Sequence, residues 1–239
     1  MKYVVTGGAG FIGSHLVDEL LDSGHDVLVI DDLSAGASEN LRVDGRCRLW
    51  ARKVQDTEIR SDEGIDGVFH LAAQSSVPLS VEDFFKSSRN NVLSTLKVFD
   101  WARKLSVPVV YASSSAVYGE LPEGDDTSDA THLISPYAVD KLIMEQYAAM
   151  AWELYGVPSV GLRLFNVYGP RQDPNSPYSG VISVFIKRVD GGDVVTVNGG
   201  YQTRDFVYVD DAVRIAVRAM SILATRPLCD KVNVCTGRA

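Results

Sequence analysis

Lys2-Tyr-Val-Val-Thr-Gly-Gly-Ala-Gly-Phe-Ile-Gly-Ser-His-Leu16 is a short β-branched run that breaks into glycines and resumes as an apolar stripe at helical spacing. It reads as strand, tight turn, helix. Gly7, Gly10 and Gly13 let the backbone turn sharply, approach a pyrophosphate and pack the helix on a sheet. The N–H groups that open the helix then face the phosphates. A second strand, Asp26-Val-Leu-Val-Ile-Asp31, ends on an acid 18 residues after Gly13. A carboxylate there accepts hydrogen bonds from an adenosine ribose and repels a 2'-phosphate, which points to NAD rather than NADP. A glycine fingerprint alone is weak evidence. Strand, glycines, helix, strand and acid in that order favour a dinucleotide site over a purely structural turn.

Strand and helix signals alternate beyond this unit. Val68-Phe-His-Leu-Ala72 and Val107-Pro-Val-Val-Tyr-Ala-Ser113 read as buried strands, and residues 81–105 and 137–155 carry helical spacing. Alternating βα units predict an α/β fold, a Rossmann-like doubly wound parallel sheet with ligands at the carboxyl ends of the strands. Residues 120–129 are acidic and turn-rich, a solvated loop beside the site. After Leu164 the texture turns to Gly, Pro, Asn and Ser. A helix, short strands at 194–197 and 205–209, and a helix over 210–222 follow. The chain thus divides into a dinucleotide-binding domain over 1–165 and a smaller substrate lobe over 166–239, some segments of which return to the sheet.

Within Ser135-Pro-Tyr-Ala-Val-Asp-Lys141, Tyr137 and Lys141 stand four apart. Positions i and i+4 share a helix face, so the ammonium of Lys141 can lie beside the phenol of Tyr137 and favour its phenolate. A phenol that normally titrates near ~10 then works as a base near neutrality. Alone, the pair reads rather as an ordinary surface contact. The serine triplet Ser113 to Ser115 and the glycine loop upstream turn it towards redox chemistry on an alcohol.

Composition agrees with a soluble cytoplasmic enzyme. The 239 residues suffice for a sizeable core. A formal net charge of -8 and a pI near 5.0 argue against nucleic acid or an anionic membrane as the main partner. Cys47, Cys229 and Cys235 are odd in number and lack metal-ligand spacing, so they read as reduced core thiols, and no metal site is expected. The first strand begins at residue 2, without space for a signal peptide, and no apolar run is long enough to span a bilayer.

Eight ordered stretches resemble the extended short-chain dehydrogenase/reductases that act on nucleotide sugars, and most closely the UDP-sugar 4-epimerases. They are Thr6-Gly-Gly-Ala-Gly-Phe-Ile-Gly13, Asp31-Asp-Leu-Ser34, His70-Leu-Ala-Ala73, Asn90-Asn-Val92, Ser113-Ser-Ser-Ala-Val-Tyr-Gly119, Tyr137-Ala-Val-Asp-Lys141, Arg163-Leu-Phe-Asn-Val-Tyr-Gly-Pro170 and Gln202-Thr-Arg-Asp-Phe206. The resemblance implies that Ser114, Tyr137 and Lys141 are catalytic. It implies that NAD is held by Gly7, Gly10, Phe11, Ile12, Gly13, Asp31, Asp32, Leu71, Ala72, Ala73, Asn91, Ser113, Tyr137 and Lys141. The UDP-sugar would meet Ser114, Tyr137, Asn166, Gly180, Val181, Val195, Val197 and Arg204, with Asn166 and Arg204 on its diphosphate. An arginine paired bidentately to phosphate is a strong, selective contact. The competing reading of Arg204 is a salt bridge with Asp205, and that of Arg171 a solvent-facing loop side chain. The family also implies homodimers through the helices over 81–105 and 137–155.

The implied reaction is removal of the 4-hydroxyl proton by Tyr137, oxidation at C4, rotation of the bound 4-keto sugar and return of hydride, with no net redox change. Ser115 is an alternative to Ser114 if the register is counted from the start of the triplet. Related 4,6-dehydratases carry an acidic pair after the catalytic hydroxyl, and the decarboxylases keep the second acid. Here those positions are Ser115 and Ala116, which favours epimerisation. Two departures stand out. Lys53-Val54 occupies the place of the family's adenine-binding acid, and an ammonium has no acceptor capacity. The chain also stops at Ala239, several dozen residues before relatives do. A non-catalytic NAD-binding module is the remaining alternative, although such a module has no need of the trio Ser114, Tyr137 and Lys141.

Overall fold

The computed structural model describes residues 1–42, 44–174, 180–197 and 199–238; residues 175–179, within the glycine- and proline-rich stretch, and the terminal Ala239 lie outside them. Strand β1 (Lys2–Thr6), helix α1 (Phe11–Asp22) and strand β2 (Asp26–Asp31) form where the opening motif predicts them. They are followed by β3 (Cys47–Ala51), β4 (Gly67–His70), α2 (Val77–Glu82), α3 (Phe84–Leu105), β5 (Val109–Ser114), α4 (Pro136–Tyr155) and β6 (Ser159–Leu164). The remaining elements are β7 (Asn166–Tyr168), α5 (Val181–Asp190), β8 (Phe206–Tyr208), α6 (Val209–Thr225) and β9 (Cys229–Val234).

Seven strands form one parallel sheet in the order β3-β2-β1-β4-β5-β6-β9. Two hydrophobic cores cover its faces. One packs Leu16, Val17 and Leu20 of α1 and Val213, Ala216 and Met220 of α6 on the sheet, and the other packs Val98, Trp101 and Ala102 of α3 and Met144 and Ala148 of α4. The strands run outward in opposite directions from β1 and β4. This reversal opens a crevice at their carboxyl ends, the place where doubly wound sheets take ligands.

Helix starts follow local capping chemistry. Ser135 accepts a hydrogen bond from the Ala138 amide at 3.2 Å with Pro136 in the first turn, and Gly156 ends α4 in the left-handed region at φ 65°. The helix expected over 81–105 is two helices. Asp83 accepts from the Lys86 amide at 3.1 Å and opens α3, while Ser76 and Pro78 open the separate α2.

The strand expected at 194–197 does not form: Val194 and Val197 are exposed and have no neighbouring strand to complete their backbone hydrogen bonds. The expected 205–209 strand shortens to β8, paired in parallel with β7. Residues 209–234 rejoin the main sheet, where β9 pairs with β6 and α6 packs beside α1. The three cysteines are free and only partly buried, rather than enclosed in the core.

Candidate active site

A cavity of about 630 Å³ opens at the crevice and extends from the glycine loop to β7. Its first wall is made by backbone. Gly7 sits at φ 70°, and a Cβ there would stand 2.7 Å from the Ala72 amide nitrogen, so the loop rests directly on the turn after β4. A Cβ on Gly13 would stand 2.0 Å from the Gly7 carbonyl oxygen, which fixes how closely α1 approaches its own loop. Gly10 caps α1 with no side-chain hydrogen bond, and no acid occupies the first turn. The amides of Phe11 and Ile12 are therefore free of a capping side chain at the positive end of the helix, where Gly10, Phe11, Ile12 and Gly13 line the cavity. This wall fits a pyrophosphate.

Asp31 lies at the end of β2, and its carboxylate accepts from the amides of Ala9 at 3.0 Å and Leu33 at 2.9 Å. Burial pushes its pKa up, against those two hydrogen bonds. The bonds lock the side chain at the cavity wall, and a carboxylate retains lone pairs for ribose hydroxyls. Asp32 also lines the cavity, with one oxygen taken by the Ser34 amide and hydroxyl. Leu71, Ala72 and Ala73 face Asp31 across the crevice, and Lys53, Val54 and Gln55 close its far end.

The reactive trio comes together in the middle of the cavity. Ser114, at the end of β5, Tyr137, in the first turn of α4, and Lys141, one turn later, all line it. Ser115 begins a 3-10 turn and is absent from the described lining, whereas Ser114 lines the cavity. The Tyr137 amide donates to Ser80 Oγ at 3.2 Å, which ties the start of α4 to α2. Lys141 Nζ donates to the Ala112 carbonyl at 2.6 Å and lies 5.5 Å from the centroid of the Tyr137 ring.

The electrostatics correct one expectation. Burial raises the Tyr137 phenol to about 12, with the Ser114 hydroxyl pulling the other way, and burial lowers Lys141 to about 8 against the carboxylates of Asp140 and Glu145. Within the protein alone, desolvation outweighs the Ser114 hydrogen bond, so the phenol is not brought near neutrality. His70, behind the trio, is neutral: burial first and Lys141 second push it down to about 3, and Thr6 Oγ1 holds its Nδ1 at 2.7 Å.

Other expected residues sort by geometry. Asn166, Gly180, Val181 and Arg204 line the end of the cavity beyond Ser114. Asp205 does not pair with Arg204; its carboxylate accepts from the amides of Thr236, Gly237 and Arg238. Arg171 is bound to Asp18 at 2.7 Å, away from the cavity.

Three expectations fail. Val195 and Val197 belong to the stretch that forms no strand and do not reach the cavity. Asn91 is buried against protein rather than lining the cavity. Its amide accepts from the Gln74 backbone at 2.7 Å and donates to Asp140 at 3.0 Å, bracing the turn after β4 against α4. The residues that face the cavity are its neighbour Asn90 and, one turn on, Ser94. Their i, i+4 spacing was the available signal. Phe165, Tyr168, Gln172 and Phe206 also line this end of the cavity; the first two and Phe206 lie in stretches that carry the resemblance but are not singled out there.

Comparison with known proteins agrees with this geometry. A putative UDP-glucose 4-epimerase from Methanocaldococcus jannaschii is 37% identical, with 98% of this chain and 77% of the relative covered. The structure of a UDP-N-acetylglucosamine 4-epimerase from Methanobrevibacter ruminantium, in complex with UDP-N-acetylmuramic acid, is similar at a TM-score of 0.91 and 38% identity, covering 99% of this chain and 77% of that one. The Thermus thermophilus UDP-glucose 4-epimerase complex with NAD gives 0.85 and 36%, covering 100% and 78%. The chain thus spans about three quarters of the length of these relatives. The model of the NAD dependent epimerase/dehydratase family matches residues 3–235. Its span takes in the glycine wall, the trio and the return of β9 to the sheet, and the chain belongs to that family.

Proposed function

We infer that the chain catalyses NAD-dependent 4-epimerisation of a UDP-sugar through a transient 4-keto sugar. The observation that carries this reading is where the cavity places its acids. Among the described residues that line it, the carboxylates are Asp31 and Asp32, both at the β2 end, whereas Ser114, Tyr137 and Lys141 face Asn166 and Arg204 with no carboxyl between them. A dehydratase needs an acid and a base for C5 and C6. An epimerase needs only the proton relay and room to turn the sugar.

Each group has a defined task. Tyr137 takes the proton from the 4-hydroxyl, and Ser114 holds that oxygen as charge develops. Lys141, charged below about pH 8, donates to a ribose hydroxyl and lends positive charge to the phenol. NAD, held by the Gly7 to Gly13 loop, Asp31 and Lys141, would supply the acceptor and donor of the C4 hydride. Positive charge brought beside the phenol by a bound oxidised cofactor would lower it from about 12, because an opposite charge favours the phenolate. Asn166, its amide anchored to the Asp205 carbonyl at 3.0 Å, and Arg204 bind the diphosphate, so the nucleotide stays fixed while the sugar swings. The relatives' ligands support a uridine nucleotide: the Methanobrevibacter enzyme was solved with UDP-N-acetylmuramic acid.

The full-length protein incubated with NAD and UDP-galactose or UDP-N-acetylgalactosamine should yield the C4 epimer without accumulating NADH. In heavy water no deuterium should enter C4 or C5. Tyr137→Phe should bind NAD normally and lose at least ~100-fold in turnover. Build-up of a 4-keto-6-deoxy sugar, or deuterium at C5, would overturn the epimerase reading in favour of a dehydratase.

The same reading extends to assembly. Val81, Phe84 and Phe85, at the junction of α2 and α3, are more than half exposed, a concentration of large apolar side chains that supports a homodimer formed through these helices.

A further inference from the structure

Behind the cavity floor, three elements meet on one carboxylate. Glu145 stands on α4 one turn after Lys141 and two after Tyr137, so all three share a helix face. It is buried, as is Arg163 on β6. Glu145 Oε1 accepts from Ser113 Oγ at 2.5 Å and from Arg163 Nε at 2.9 Å, and Oε2 accepts from Arg163 Nη2 at 2.7 Å. Ser113 and Arg163 are register partners on adjacent strands, and Ser113 directly precedes Ser114. The third arm of Arg163 donates to the Tyr118 hydroxyl at 2.9 Å, which donates to Asn233 on β9 at 2.7 Å.

Stability does not account for this arrangement. A buried ion pair loses in desolvation much of what it gains by Coulomb attraction, and apolar residues of similar volume often hold a core as well or better. What apolar residues lack is direction. A carboxylate that accepts hydrogen bonds from two neighbouring strands fixes both the rotation of α4 and its position along the sheet. That joint lies between the strand end that presents Ser114 and the helix face that presents Tyr137 and Lys141.

We propose that Glu145 is a positioning residue, which through Ser113 and Arg163 sets the Tyr137 and Lys141 face of α4 against Ser114 and keeps Lys141 a cation. The proposal rests on the epimerase reading above. The groups around Lys141 support its second part. Asp140 and Glu145 on α4 oppose the burial that lowers it, Asp140 is itself held by Asn91 on α3, Tyr137 is neutral below about pH 12, and His70 on β4 is uncharged. Arg163 on β6 has its charge met by Glu145. Removing the Glu145 charge therefore leaves Asp140 alone against desolvation, with an uncompensated Arg163 nearby.

Two variants test this in the full-length protein. Glu145→Gln keeps the shape and removes the charge. With 13C-labelled lysine, the NMR titration midpoint of Lys141 should fall by at least about one unit. Turnover should fall by about 100-fold, the scale of a small misplacement of reacting groups, with KM for the UDP-sugar little changed. The alkaline limb of kcat should move with the Lys141 midpoint. Should Glu145→Gln fail to fold, Glu145→Met/Arg163→Met leaves no orphan charge; it should unfold cooperatively, bind NAD and still show the turnover loss. An unmoved Lys141 midpoint in Glu145→Gln, or wild-type kcat in the double variant, overturns the proposal. The NMR and NAD titrations need no sugar, so a wild type inactive on UDP-sugars would sink the functional reading while the Lys141 midpoint still decides this one.

Discussion

Lys141→Met should make the cofactor-free protein more stable while abolishing its activity. The ammonium is buried and its pKa falls from 10.5 to about 8, so at neutral pH the fold holds a charge that it disfavours. At about 1.4 kcal/mol per unit, that shift corresponds to about 3 kcal/mol. Methionine matches the length of the stem without the charge. Against this gain stands the lost hydrogen bond from the charged ammonium to the Ala112 carbonyl, worth about 1.5–3 kcal/mol. The net expectation at about pH 7 is a gain of up to about 1.5 kcal/mol, read as a rise of up to a few degrees in Tm for a chain of this size.

The pH dependence gives the sharper test. Below about pH 8 the lysine is protonated in both folded and unfolded states, and its full cost is present. As pH rises through that value the folded state sheds its proton while the unfolded chain keeps one until 10.5, so the wild type gains stability with pH and the cost shrinks to under about 1 kcal/mol by about pH 10. The advantage of methionine should shrink with it. Urea unfolding at about pH 7 and about pH 10, without NAD, measures both values. A variant less stable than the wild type at neutral pH, or one whose advantage is the same at both, would refute the reasoning.

Cofactor choice should follow Asp31, which is locked at the cavity wall by the Ala9 and Leu33 amides: isothermal titration should show NAD binding more tightly than NADP, and Asp31→Ser should narrow the gap. Equal affinities in the unmutated protein would show that the carboxylate does not face the ribose. Size-exclusion chromatography with light scattering should give a dimer that depends on the exposed Phe84 and Phe85, and a strict monomer would refute pairing through these helices.

The sequence alone determined the features that arise from neighbours along the chain. The glycine loop, the acid at the end of β2 and the shared face of Tyr137 and Lys141 each depend on backbone geometry within a few residues, and each lies where its spacing places it. Alternation of strands and helices carried the parallel sheet with them, because a βαβ crossover closes in one hand. Family resemblance supplied the substrate-side Asn166 and Arg204, which local pattern could not.

Only the tertiary structure decided matters that depend on how an element is rotated or what covers it. Asn90 rather than Asn91 faces the cavity because a single residue step turns a helix side chain by about 100°, and packing of α3 on α4 sets the phase. Val195 and Val197 belong to no strand of either sheet among the described residues, because a strand needs a paired neighbour that local sequence does not specify. Arg204 is spared a salt bridge because chain ends far apart in sequence bring the 236–238 amides to Asp205. The Tyr137 phenol is raised to about 12 rather than lowered, because burial outweighs the hydrogen bond from the Ser114 hydroxyl and the Asp140 carboxylate adds to the rise. The Glu145 and Arg163 joint was invisible for the same reason: its partners come from β5, α4 and β6, and only folding brings their charges within hydrogen-bonding distance.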